Sequence, residues 1–244
     1  MRPCRLLPKT LAFAALAAFI AACGDDVTDP QALLDSAEAE AVLRSAAALP
    51  ALPAVIERAG DPTDSRDRLA LYRAQELWAT GTAADDRTAR ARRRLAVRYA
   101  APGLTARLGV ADWDEVDSGL RQWITTAESM LRHVELPDVR DRLREAQSLL
   151  NRAATASDPG ARARALLLAG AELVETTPRF VARSLTADAE AAVARAMAAA
   201  DDAEDPRLQR ALRLKDWAVR AVEDGDYLLA VQRAYYAVQL AEAR

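Results

Sequence analysis

Residues 112–135 read DWDEVDSGLRQWITTAESMLRHVE, and in them Val116, Leu120, Trp123, Ala127, Met130 and Val134 recur at alternating spacings of four and three. That alternation lays six apolar side chains along one stripe of an α-helix, and Ile124 and Leu131 widen it. Such a stripe is a seam that a neighbouring helix must cover.

The same period continues on both sides. Downstream, Pro137-Asp138 starts a helix with Val139, Leu143, Ala146, Leu150 and Ala153 inward, and Asp158-Pro159-Gly160 turns the chain into another with Leu166, Ala169, Leu173 and Val174. Pro178 opens a third, facing Val181, Leu185, Ala189, Val193 and Ala196 to the core, and an acidic joint at Asp201, Asp202, Glu204 and Asp205 precedes the two helices that meet at Gly225. Upstream, a helix from Gln31 stops at Pro50 and Pro53, a short piece ends at Gly60, and Asp64 caps a helix with Leu71, Ala74, Leu77 and Trp78 inward. No stretch alternates apolar and polar residues between turn signals, which excludes a sheet. The reading is an all-α bundle, or a short array of antiparallel helical hairpins, of about eight or nine helices. Pro102, Gly103 and Gly109 mark a break, dividing residues 31–109 from residues 110–244.

Half of the chain is apolar, yet aromatics supply only 5% of it, and alanine makes up much of the difference. Small side chains at the contacts bring helices close together. The formal charge is −3, with 33 Lys and Arg against 36 Asp and Glu. An acidic balance argues against nucleic acid as a partner.

The first residues carry an address. Arg2, Arg5 and Lys9 precede an unbroken apolar run from Leu11 to Ala22, the layout of a secretory leader. The run is too short for a permanent span of about 20 residues. Ile20-Ala21-Ala22-Cys23 closes it and resembles the bacterial lipobox, over residues 1–24. The resemblance implies a signal peptide at residues 1–22, a diacylglycerol group on the Cys23 thiol, Cys23 as the new amino terminus after cleavage, and a cysteine multiply acylated with chains such as palmitate. A multiply acylated cysteine anchors lastingly where one chain is marginal. Gly24 stands where the family places Asp to retain a product in the inner membrane, so the resemblance implies the outer membrane of a bacterial cell envelope, facing the periplasm. Cys4 falls in the leader, so the body has no disulfide and rests on its core alone. The tether of residues 23–30 is short: seven residues from Gly24 reach no more than ~24 Å.

At the other end, Leu214, Trp217, Ala218 and Ala221 lead through Gly225-Asp226-Tyr227 to Ala230, Val231, Ala237 and Leu240. This hairpin resembles a tetratricopeptide (TPR) repeat, and residues 147–175 echo it in part. The resemblance implies a scaffold that holds a protein or peptide. Trp217, Tyr227, Arg233, Tyr235 and Tyr236 are the candidate partner-binding residues, because three tyrosines crowd ten residues of the last helix and such side chains favour contact surfaces. Tyr235 shares a face with Val231 and Val238, whereas Tyr236 is turned about 100° from it.

Catalytic and metal residues are not found. His133 is the only histidine, so a histidine triad or a histidine pair for zinc has no members, and there is no Gly-rich phosphate loop. No cofactor is implied. Arg87, Arg90, Arg92, Arg93, Arg94 and Arg98 form the densest charge run, read as a solvated helix face with Asp85 and Asp86 at its start, or as a contact for anionic lipid headgroups. The expected function is therefore a lipid-anchored helical interaction protein of the envelope. An envelope enzyme or small-ligand carrier, with a site of scattered Arg and carboxylates, is the alternative.

Overall fold

The computed structural model of the chain describes residues 36–81, 86–131, 134–200 and 204–243. The leader, Cys23, the tether, Asp85, His133, Asp201 and Asp202 lie outside the described residues. Within them the chain is all helix: α1 (Ser36–Ala47), α2 (Leu52–Ala59), α3 (Ser65–Gly81), α4 (Asp86–Arg107) and α5 (Val110–Met130) come first. There follow α6 (Pro137–Thr155), α7 (Pro159–Leu173), a 3₁₀ turn (Val174–Thr176), α8 (Pro178–Ala199), α9 (Pro206–Asp224) and α10 (Tyr227–Glu242). These ten α-helices exceed the expected eight or nine because eight-residue α2 is a helix in its own right, with Pro53 in its first turn.

Acid side chains start the helices that the sequence assigns to them. Asp64 Oδ2 accepts from the amides of Arg66 and Asp67 at 3.0 and 3.1 Å, Asp158 from Ala161 at 2.6 Å, and Asp205 from Arg207 at 2.8 Å. Gly225 ends α9 in the left-handed region at φ 81°, where a Cβ would be strained. Asp226 then caps α10 through the Leu229 amide.

Pro102 and Gly103 do not break the chain; both lie inside α4. The proline removes one backbone bond, but Ala100, Ala101 and Leu104 around it are all buried, so packing holds the helix through to Arg107. Gly103 is where α3 comes close: a Cβ there would touch the Asp67 carboxylate at 3.4 Å.

The 4-3 seam is covered as its spacing requires. Val116, Leu120, Trp123, Ala127 and Met130 are buried on α5, which packs against α1, α6 and α7. Val134, past the end of α5, is buried too. Burying a side chain such as Leu120 contributes about 1.5–3 kcal/mol. The apolar residues form two clusters. The first runs from Val42 to Leu173 and takes side chains from both sides of Gly109; the second joins α8, α9 and α10, and Leu136 and Val139 touch both. Small residues set the spacing in the second, where Ala218, Ala221, Ala230, Ala234 and Ala237 are all buried.

The link between α1 and α2 is lodged between two glycines. A Cβ on Gly119 of α5 would lie 3.1 Å from Pro50 Cγ, and one on Gly170 of α7 would lie 3.2 Å from the Pro50 carbonyl and 3.5 Å from Leu120 Cδ2. In an exposed helix Gly→Ala gains roughly 0.5–1 kcal/mol. At Gly170 the added methyl meets backbone on one side and core on the other, so Gly170→Ala is expected to lose about 1–3 kcal/mol, read from urea midpoints.

Candidate functional site

Part of the arginine run of α4 turns inward, while Arg98 stays exposed. Arg93 is 1% exposed and pairs with Glu175 Oε1, while Arg90 Nε lies 3.2 Å from Glu175 Oε2. One residue on, Arg94 donates from Nε and Nη2 to Glu172 Oε1 at 3.1 and 2.7 Å. Arg142 of α6 reaches both acids, Glu172 Oε2 at 3.1 Å and Glu175 Oε2 at 3.3 Å. Four guanidiniums from two helices thus converge on two buried carboxylates three residues apart. Nearly buried ions persist only when paired in this way.

Neighbouring side chains hold the acids in place. Trp123 Nε1 donates to Thr176 Oγ1 at 2.8 Å, and that hydroxyl donates to the Leu173 carbonyl at 2.8 Å, which fixes the 3₁₀ turn carrying Glu175 against α5. Arg93 also lies over the Phe180 ring of α8 at 5.7 Å, a cation-π contact. Burial pushes the Glu175 carboxyl above its ordinary 4.5, and the opposing pull of Arg93, Arg90 and Arg142 does not cancel it. The Glu172 hydrogen bond raises the Arg94 guanidinium further, which keeps it charged.

The knot opens on a cleft of about 150 Å³, continuous with solvent. Arg90, Arg142 and Glu175 line it from the knot, and Asp138, Ser184 and Asp188 line it from exposed positions on α6 and α8. Its apolar surface comes from Leu136, Val139, Phe180, Val181 and Leu185. No three of His, Cys, Asp and Glu come together as metal ligands among the described residues. The lining offers a ligand charge and apolar contact.

The candidate partner-binding residues lie elsewhere, on the α9–α10 hairpin. Trp217 is 45% exposed, Arg233 Cζ stands 5.6 Å from its ring centre, and Arg233 Nη1 donates to the Trp217 carbonyl at 3.2 Å. Tyr236 is exposed and meets Tyr235 edge to face at 5.6 Å. Tyr227 and Tyr235 are half-buried and pack on the second core. The structure thus brings Trp217 to Arg233 and Tyr235 to Tyr236.

No family model, curated protein or solved structure matches the chain. The geometry alone speaks for function.

Sequence reasoning missed Glu172, Glu175 and Arg142 as partners of the arginine run. The available signal was two acids at i and i+3 at the end of the apolar helix α7, where a glutamate facing the core demands a cation. Truncating Glu172→Ala removes three charge-assisted bonds and is expected to lower stability by about 3 kcal/mol, since Arg142 keeps little solvent in exchange. Glu175 carries the pH dependence. Because its folded-state pKa is raised, its contribution is whole below about 4.5 and is lost as pH rises through the raised value. Urea unfolding of Glu175→Gln beside the native chain reads this: the native protein should lose stability relative to the variant as pH climbs above about 4.5.

Proposed function

We propose that the protein is a lipid-anchored interaction module of the bacterial cell envelope, which holds a protein or peptide partner on its C-terminal hairpin. The observation that supports it most is Trp217. The other tryptophans, Trp78, Trp113 and Trp123, are buried, whereas Trp217 keeps nearly half its surface in water. Arg233 fixes its orientation before any partner arrives, and Arg213 and Arg220 are exposed on the same face of α9 at a spacing of four and three. A held aromatic ring among arginines has the make-up of a binding hot spot. Its charge complements an acidic peptide with an apolar residue at its centre, and the TPR-like hairpin gives such a segment a surface to lie along.

The tether reading completes the proposal. Cys23, acylated and bound to the outer membrane, would keep this surface within the reach of a short linker in the periplasm. No single helix among the described residues is long and apolar enough to cross a membrane, so an anchor at Cys23 would be what holds the body there.

Fluorescence tests the hairpin directly, because Trp217 is the tryptophan open to acrylamide. Titration with an acidic, Trp-free amphipathic peptide should shield it from quenching, and Arg233→Ala should weaken that binding by about tenfold or more. Unchanged quenching at saturating peptide sinks the partner reading. Palmitate labelling that persists in Cys23→Ala sinks the anchor alone.

A further inference from the structure

The α9–α10 hairpin is covered by α8 on one side. α8 packs on both of its helices, and the side chains it meets there are small: Ala218, Ala230, Ala234 and Ala237 share the second core with Val181 and Leu185 of α8. On α10 a second row, Leu229, Arg233, Tyr236 and Leu240, recurs at spacings of four, three and four, and none of the four is buried. The first three each precede a covered alanine by one residue, so this row stands about 100° round the helix from the side that α8 covers. Arg233 joins the row to α9, because its guanidinium lies on the Trp217 ring. α9 and α10 run antiparallel across the turn at Gly225 and Asp226, so from that contact α9 continues the face with Leu214, one turn back from Trp217. Leu214 and Leu229 are half-buried and pack on the second core. From Leu229 to Leu240 the face is about 16 Å long, the rise of eleven helical residues.

The form of this face selects its occupant. Rows of side chains at spacings of four and three are ridges that fit the grooves of another helix. An extended segment has no strand edge to pair with among the described residues, all of whose regular elements are helices. The charge is positive: Arg210, Arg213, Arg220 and Arg233 stand against Glu223 and Asp224 at the turn, while Asp216 is held by Lys215 at 2.6 Å. A second copy of the chain would set these arginines against themselves, which disfavours self-association through this face. Resting on the reading of the hairpin as a partner surface, we infer that the occupant is an amphipathic α-helix of about three turns. Its apolar stripe lies on Leu214, Trp217, Leu229, Tyr236 and Leu240, and its acidic residues turn toward the arginines of α9.

Two Trp-free peptides of identical composition test the form of the occupant, each of about 14 residues of Leu, Glu and Ala, or roughly four helical turns. In one the leucines recur at spacings of four and three. In the other they alternate with glutamate, which gives an apolar face only to an extended strand. The full chain is held in nanodiscs of anionic lipid, which repel both peptides, and binding is read as protection of Trp217 from acrylamide. The first peptide should bind at least about tenfold more tightly than its isomer. With isotope-labelled backbone carbonyls, its infrared amide band should be that of a helix when bound. Tyr236→Ala should weaken it by about tenfold, while Gln239→Ala, exposed on the same helix but off the row, should leave it unchanged, a difference that loss of folding does not produce. An isomer that binds equally or more tightly, an extended bound form, or a Tyr236→Ala variant that binds as before overturns the helix inference and leaves the partner reading standing. Protection of Trp217 by neither peptide removes both.

Discussion

Two glutamates on one turn of chain, with nowhere to go but toward arginine, govern the arrangement of the first core. Glu172 closes a helix that is otherwise apolar on its inner side, and Glu175 follows on a 3₁₀ turn fixed by Thr176 and Trp123. Each ion would be prohibitively costly alone in such surroundings, and each is met from two directions, by α4 and by α6. Apolar packing tolerates small slides of one helix along another, because one methyl contact substitutes for the next. A buried ion pair does not, since a shift of one turn would leave a charge without a counterpart. The knot therefore sets the register of α4 and α6 on α7, and the aliphatic contacts fill in around it.

The electrostatics explain why an alanine-rich bundle carries so specific a feature. Alanine contacts bring helices close but discriminate poorly among registers, because every alanine looks alike to its neighbour. Charged groups supply the distinction. The same groups leave the α8 side of the knot incompletely covered, and there a cleft lined by Arg90, Arg142 and Glu175 opens beside a densely packed core.

Much of this architecture was legible in the residues. The 4-3 alternation from Val116 to Val134 gave a buried seam, and the capping acids Asp64, Asp158, Asp205 and Asp226 gave helix starts, because both depend on neighbours in sequence. Pro102 misled, since the penalty of a proline within a helix is local, whereas Ala100, Ala101 and Leu104 recover it through contacts far along the chain. The arginine run misled for a related reason. Six arginines in twelve residues surround a helix on several sides and have no face of their own, and the carboxylates that select Arg90, Arg93 and Arg94 lie about eighty residues away. The candidate site divided along the same line: the turn of Tyr236 away from Tyr235 follows from helical spacing, while the stacking of Arg233 on Trp217 depends on how two helices meet.

Pro50, its ring against Gly119 and its carbonyl against Gly170, bears on how the body would withstand being pulled. If the chain is hauled from its amino-terminal side, load reaches α1 first, and α1 rests chiefly on α5. It can peel away without disturbing the arginine knot. The next obstacle is the proline, wedged where two helices have no side chain to yield, so force would stop there and the core behind it would stay whole.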